Sequence, residues 1–337
     1  MAVTLGDVAR EAGVSLATAS RAINGSASRT VRPDLRARVE AAATRLRYTP
    51  DANAQAMARG RTTSLGLVVH DIADAYSSAV ASGVVRAADR AGLHVTLACT
   101  SHDPTREPML VDALRRQRVR AIVLAAGRTD SDAVLSDELR DALEVYCSGG
   151  RGAALVGQPV LGVDSVVVDN AQGAADLARA LHGRGYRRFA VLAGPEHHLS
   201  ARERHDAFVA ALAELGTPPV QVLHGDLGHA GGYAATTRIL DGELPELLFA
   251  VSDDTALGAL AAVRERGLRV PDDVAVAGFG DIAPLRDVVP GLTTVRVPLA
   301  EIGATATELA LSGAGGQPRR VHVPTTVVLR DSTPARR

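Results

Sequence analysis

Hydrophobic residues recur along this chain with two different spacings, and the change near residue 62 divides it. Before that point apolar positions repeat every three or four residues, as one face of a helix does. Val8 and Ala9 lie on the inner side of a helix predicted over 5–12, and Ala19 and Ile23 share a face of a second that runs from Ser15 to about Asn24. Leu35, Val39, Ala42, Ala43 and Leu46 form a stripe on a third over 33–48. Beyond the boundary, short unbroken apolar runs at 65–69, 95–99, 121–124, 153–156, 189–192, 220–223, 247–250 and 274–278 alternate with helical stretches at 78–91, 108–118, 171–181, 201–215, 231–240 and 255–265. Continuous apolar strands between amphipathic helices predict parallel sheets covered on both faces. So many βα units exceed one ordinary sheet and favour two lobes, with a ligand cleft at the carboxyl ends of the strands.

The first part carries the punctuation of a helix-turn-helix. Thr4 caps the first helix, Asp7 sits near its positive end, and Gly13 stops it where a left-handed residue is needed. Val14 plugs the corner, Ser15 caps the second helix, and Asn24-Gly25 ends it. Two short helices joined by such a turn place the second in the major groove of DNA. With Ala19 and Ile23 facing inward, Leu16, Ala17, Ser20 and Arg21 face outward. Two readings of Arg21 stand: a fork onto guanine O6 and N7, worth about 1–3 kcal/mol of discrimination, or a phosphate contact. Leu16 and Ala17 offer apolar contact, for instance to a thymine methyl, whereas Thr18, Ser20 and Asn24 suit phosphate oxygens. Pro50 breaks the chain, a short helical stretch covers 52–57, and Arg59-Gly60-Arg61-Thr62-Thr63 reads as a linker. The domains expected are 1–50, a hinge and linker over 51–63, and 64–337.

Charge sharpens that division. Residues 1–62 carry ten Arg against five acids, a balance of +5, which leaves −6 of the total −1 for the rest. Such a concentration suits a phosphate backbone, although a solvated helical face is the plainer alternative. Cys99 and Cys147 stand far apart in apolar stretches and read as small buried hydrophobes, in keeping with a reducing cytoplasm. No apolar run reaches the roughly 18 residues of a membrane span. Asp7 falls where a signal peptide would be basic or apolar, so a cytoplasmic location is expected.

Catalytic readings find little support, and no enzyme activity, cofactor or metal is expected. Gly278-Phe279-Gly280-Asp281-Ile282-Ala283 follows a strand and fits a dinucleotide fingerprint, yet Pro284 comes at once and Pro290-Gly291 soon after, leaving no room for the helix such a turn must open. His197, His198 and His205, with His224 and His229, match no standard zinc spacing and read as a polar rim. A binding protein without DNA function is opposed by the N-terminal module.

The run from Val3 to Ser15, with Ala17-Thr18-Ala19-Ser20-Arg21, Asn24-Gly25, Arg36-x-Arg38-Val39 and Tyr48-x-Pro50, resembles the headpiece of the LacI/GalR family of bacterial regulators. The likeness continues through His70-Asp71-Ile72, Val168-Asp169-Asn170, Ser252-Asp253, Val270-Pro271-Asp272-Asp273-Val274 and Leu292-Thr293-Thr294-Val295. It implies an all-α helix-turn-helix headpiece plus an α/β two-lobed periplasmic-binding-protein-like sensor domain, with parallel sheets and three crossovers. Those crossovers are expected near 161–164, 293–297 and 322–324, giving one lobe of about 64–162 and 295–322 and another of 163–294 and 323–337. In the family the segment matching 52–57 is a hinge helix that orders on DNA and wedges a leucine into a central minor-groove step, where Met57 stands here. Arg32 replaces the usual capping Ser, and Asp51 a common Asn. The residues expected at the duplex are thus Thr4, Ser15, Leu16, Ala17, Thr18, Ser20, Arg21, Asn24, Asn53, Ala54 and Met57.

By the same resemblance the effector pocket is lined by Tyr76, Ser77, Arg204, Leu227, Ser252 and Asp281. Arg204 is either a fork for a hydroxyl pair, carboxylate or phosphate, or a surface arginine beside Glu203. Tyr76 either stacks on a ligand ring or fills the cleft wall. Ser252 stands where sugar-responsive members place Asn, Gly280 where they place an acid, and Gly157 and Val297 at further polar positions, while Trp is absent. Each sugar hydroxyl left without a partner costs about 1–3 kcal/mol, so an effector other than an ordinary hexose, more apolar or anionic, is expected. The implied partners are a pseudo-palindromic operator, that effector and a second copy of the chain. No leucine heptads follow the last strand, so a dimer is the expected assembly.

Overall fold

In the computed structural model, Thr4 and Asp7 form a reciprocal capping box: Asp7 N–H donates to Thr4 Oγ1 at 3.3 Å and Thr4 N–H to Asp7 Oδ2 at 3.0 Å. That box opens α1 (Leu5–Glu11). Residues 3–24, 30–49, 62–130, 133–313 and 315–336 are described, in two units, Met1–Thr63 and Ser64–Arg337. Gly13 follows α1 with φ of 63°, and a Cβ there would lie 2.8 Å from Arg38 Nη2, which donates to the Ala12 carbonyl at 2.6 Å. The turn therefore needs glycine both for its backbone and for the close approach of α3 (Pro33–Leu46). Ser15 Oγ accepts the Thr18 N–H at 3.2 Å and caps α2 (Leu16–Asn24). Val8, Ala19, Val39 and Ala42 are fully buried where the three helices meet, with Ile23, Leu35 and Leu46 packed around them. Arg32 supplies no cap to α3; it pairs with Asp34 at 2.8 Å, and Pro33 presets the first helical turn.

The second unit begins with the βα alternation. Lobe 1 holds β1 (Ser64–Val69), α4 (Ala75–Arg90), β2 (His94–Cys99), α5 (Arg106–Arg116), β3 (Ala121–Leu124), α6 (Ala133–Cys147), β4 (Gly152–Val156) and β5 (Asp164–Val168). Lobe 2 holds α7 (Asn170–Gly183), β6 (Phe189–Leu192), α8 (Leu199–Glu214), β7 (Gln221–Leu223), α9 (Gly228–Leu240), β8 (Leu247–Ala250), α10 (Asp253–Glu265) and β9 (Ala275–Ala277). After β10 (Thr294–Arg296) the chain returns to lobe 1 with α11 (Leu299–Leu311) and β11 (Arg320–Val323), and β12 (Thr326–Val328) pairs antiparallel with β10. The lobe 1 sheet runs β11-β5-β4-β3-β1-β2 and that of lobe 2 β7-β6-β8-β9, every pairing parallel.

One expected boundary is corrected. The run 164–168 is a strand of lobe 1, paired with β4 and β11, so the first crossover lies after Val168 and not at 161–164. The short β4–β5 connection hid this strand, because a parallel neighbour normally needs a long crossover. Helix α4 also starts earlier than position 78, which puts Tyr76 and Ser77 on its first turn.

Candidate nucleic-acid interface and candidate ligand cleft

In the first unit α2 is held from behind by buried Ala19 and Ala22, which turns the opposite side outward. Leu16 is 57% exposed and Ala17 is exposed beside it. Arg21 donates from Nε to the Ala17 carbonyl at 2.9 Å, and its Nη groups have no partner among the described residues. Arg10, Arg32 and Arg45 are paired with Asp7, Asp34 and Glu11. Arg21, Arg36 and Arg47 have no such carboxylate among the described residues, so the unspent positive charge includes the outward face of α2. Ser15 bonds Thr18 at 2.9 Å and Asn24 Nδ2 donates to Ser20 at 3.3 Å, so these polar groups also order the helix. Asp51, Asn53, Ala54 and Met57 lie outside the described residues.

In the second unit the carboxyl ends of β1, β3 and β4 face those of β6 and β8 through a hydrogen-bonded strap. Leu199 N–H donates to the Arg128 carbonyl at 2.9 Å, Asp130 N–H to the His197 carbonyl at 3.1 Å, and Arg202 pairs with Asp130 at 2.7 Å. Gln158 Nε2 reaches Glu203 at 2.8 Å and Ser200 at 3.0 Å. Beneath the strap, Arg128 and Glu107 form a bidentate pair with side chains 8% and 2% exposed. Gly127 sits between two histidines: its N–H donates to His70 Nε2 at 2.7 Å, and a Cβ would lie 2.4 Å from His198 Nε2. Desolvation, with Arg128 and His102 adding repulsion, lowers the His70 pKa to about 4; desolvation, with Arg204 and His70, does the same for His198.

Arg204 projects from α8 into this region. Its Nε donates to Asn170 Oδ1 at 2.8 Å and Nη1 to the Val251 carbonyl at 2.9 Å, and the guanidinium lies over the Phe279 ring. Burial lowers its pKa against the opposing pull of Tyr76, Asp253 and Glu203. Tyr76 lies within electrostatic reach of Arg204, and burial raises its phenol. Ser77 is buried in the same turn of α4, and Leu227 caps α9 with its side chain packed on the core beside Gly194.

Two of the expected pocket residues are otherwise engaged. Ser252 Oγ caps α10, accepting the Thr255 N–H at 3.2 Å and bonding its hydroxyl at 2.8 Å. Asp281, at a φ of 56°, gives one oxygen to Arg296 at 2.6 Å and the other to Arg330 at 2.5 Å. Burial alone would raise this carboxyl, but the two arginines hold it below its usual range. The buried acid nearby is Asp253, which accepts from Thr294 Oγ1 at 2.6 Å and from Ile282 N–H at 3.0 Å; desolvation lifts its pKa to about 6. Residue-level reading missed Asp253, Asn170, Gln158 and the histidine pair as site groups. A histidine directly after an apolar strand, as in Val69-His70, was the signal available.

The Gly278–Ala283 stretch leads into a 3-10 helix of five residues, Ala283–Asp287, not an α-helix. His205 and His224 pack edge to face at 5.4 Å, and no group of three metal-ligating side chains converges among the described residues. A cavity of about 370 Å³ lies at the other end of lobe 1, where β4 and β5 begin; of its charged groups Arg140, Glu144 and Asp164, the first is held by Asp137 and the last by Arg319. No helix among the described residues is long and apolar enough to cross a membrane.

A helix-turn-helix and a two-lobed parallel α/β cleft define one class of protein, the bacterial regulators that grip DNA with the first and receive an effector in the second. Comparison with known proteins narrows the class. Residues 4–51 match the description "Bacterial regulatory proteins, lacI family", and residues 178–333 match "Periplasmic binding protein-like domain". The chain is 35% identical to the HTH-type transcriptional regulator GalS of Salmonella typhimurium (93% of this chain, 91% of the relative) and 32% identical to GalR of Escherichia coli (94% and 90%). Among solved structures it resembles the lac repressor dimer bound to operator and the anti-inducer ONPF, with a TM-score of 0.86, 27% identity, and coverage of 99% of this chain and 100% of that one. It also resembles a complex of the regulator CelR with cellobiose, with a TM-score of 0.71, 29% identity, and coverage of 98% and 99%. The chain belongs to the LacI family: it is a DNA-binding transcriptional regulator with an effector-binding domain, as the sequence resemblance implies.

Proposed function

We propose that this regulator acts in the cytoplasm as a homodimeric repressor of a pseudo-palindromic operator, and that a small molecule bound between the lobes sets its operator affinity without covalent chemistry. In this reading α2 enters the major groove, Arg21 reads a base edge, Leu16 and Ala17 make apolar contacts, and Thr4, Ser15, Thr18, Ser20 and Asn24 hold phosphates. Asn53, Ala54 and Met57 of each subunit meet the central minor groove. The observation that carries it is the face of α2, where Leu16 and Ala17 stand exposed and the two Nη groups of Arg21 have no partner among the described residues, while Ala19 and Ala22 fix the helix from behind. Effector groups come from Arg204, Tyr76, Ser77 and Leu227. His198 joins them, whereas Ser252 and Asp281 act by holding α10 and the β10–β12 ladder. An effector shifts DNA binding only by its unequal affinity for two lobe arrangements. Footprinting across the protein's own upstream region, repeated with a metabolite panel, tests both halves. A protected inverted repeat whose protection changes with one metabolite is the expected result, and uniform protection insensitive to every metabolite rejects the reading.

A further inference from the structure

The second unit carries a net charge of −6, a poor match for nucleic acid, yet lobe 1 separates its charge by end. At the carboxyl end of its sheet, residues 70–75, 100–107 and 125–130 hold five acids against two arginines. At the amino end, residues 87–90, 112–120, 144–151 and 308–320 with Asp164 hold eight arginines against five acids. Several of these arginines are neutralised where they stand. Arg90 lies 3.6 Å from Glu308, Arg115 and Arg116 share Asp112, and Arg319 holds Asp164. Arg90, Arg115 and Arg116 also stand in last helical turns, where open carbonyls attract cations by themselves.

Arg120 and Arg151 differ from the rest. Both stand beyond the helices, immediately before β3 and β4, and neither has a carboxylate partner among the described residues. Ala121 is the register partner of Gly152, so the two arginines are neighbours on adjacent strands, with backbones about 5 Å apart. Like charges so placed repel, and no acid offsets the cost. Tyr146 fixes them there. Fully buried, it donates its hydroxyl to the Val119 carbonyl at 2.9 Å and lies under Arg151, whose guanidinium carbon is 5.5 Å from the ring centroid. Both arginines remain partly exposed. Asp89 and Glu144, on the last turns of α4 and α6, are the nearby acids without an arginine, and neither pairs with Arg120 or Arg151. The strand row continues to Ser64, whose carbonyl accepts the Arg120 N–H at 2.8 Å. Ser64 opens the second unit, so this pair stands at the end that residues 50–63, Arg59 and Arg61 among them, tether to the headpiece.

We propose that Arg120 and Arg151 make a second, sequence-independent contact with the DNA that the headpiece holds, each neutralising a backbone phosphate. Such contacts strengthen binding to every duplex alike and carry no base information. Binding of the full-length protein to a duplex enriched from a random library, and to a scrambled duplex of equal length, measured over a salt series, tests it. The double variant Arg120→Ala, Arg151→Ala should lose about 0.9 of the slope of log affinity against log salt for each phosphate released, close to 2 per subunit. At moderate salt both duplexes should weaken at least about ten-fold and by the same factor. Arg120→Lys with Arg151→Lys keeps the charge and should keep the slope. An unchanged slope in the Ala pair overturns the proposal and leaves this face to an acidic protein. A Lys pair as weak as the Ala pair, or a loss confined to the enriched duplex, overturns it as well, since the arginines would then act through the fold and not through charge. Sequence preference is read separately, from the ratio of the two duplexes in the wild type, so failure of this contact leaves the reading of α2 standing.

Discussion

Arg204 lies over Phe279, its guanidinium carbon 4.2 Å from the ring centroid, while two of its nitrogens are fastened to Asn170 and to the backbone at Val251. A flexible cation thereby becomes a fixed fork that ties the first helix of lobe 2 to the carboxyl ends of its strands. Replacement by Lys keeps the charge but cannot make both bonds and the stacking contact together. Arg204→Lys should lower ligand affinity at least ten-fold, and calorimetry on the full chain checks it.

Gly13 and Arg38 share a space too small for a methyl group. Gly13→Ala forces a positive φ on an L residue and pushes a Cβ against the guanidinium, for an expected loss of about 1–2 kcal/mol in the first unit. Hydrogen exchange should show lower protection of backbone amides over 5–46 and unchanged protection in the sheets of the second unit. Equal loss in both units would mean that they unfold together.

The Arg128–Glu107 pair is sealed from water beneath the strap. Glu107→Gln leaves the guanidinium uncompensated and should cost about 3–5 kcal/mol, whereas replacing both residues by apolar ones of similar volume should cost far less. Urea unfolding of the single and double variants separates the two outcomes.

The buried histidines give stability a pH dependence of fixed sign. His70 and His198 titrate near 4 in the folded chain against about 6.5 when unfolded. The unfolded state therefore binds more protons between those values, and stability is lost as pH falls from about 6.5 to 4. Asp253, raised to about 6, works the other way: its folded form favours the proton, so it lowers stability as pH rises from about 4 to 6. His70→Gln should flatten the pH profile of the urea midpoint in this window, and Asp253→Asn should steepen it. A steeper profile in His70→Gln would contradict the assignment.

The headpiece was legible in the sequence because each of its signals is local. Thr4 with Asp7, Gly13, Ser15 and the Ala19/Ile23 spacing act within a turn or two of themselves, and the structure places all of them as caps, corner or core. Most strands of the two sheets were legible from their unbroken apolar runs; those at 164–168 and 320–323 in the lobe 1 sheet, and the short ladder of 294–296 with 326–328, were not. What the sequence concealed is long-range pairing. Asp281 lies in a motif that suggests a ligand contact, but Arg330, far along the chain, takes one of its oxygens and Arg296 the other. Asp253 likewise reads as a helix-start acid, and only its burial against Thr294 and Ile282 shows that it ties lobe 2 to a crossover. No spacing rule reports a partner chosen by topology.

The account rests most directly on whether α2 reads DNA sequence. Selecting duplexes from a random library with the full-length protein, then measuring every single-base substitution in the enriched site against wild type and Arg21→Ala, tests that claim. The expected outcome is an inverted repeat bound at least about a thousand-fold over competitor, with Arg21→Ala flattening discrimination at one symmetric position by about 1–3 kcal/mol. Enrichment of no repeat, or equal weakening of all sequences by Arg21→Ala, would contradict it.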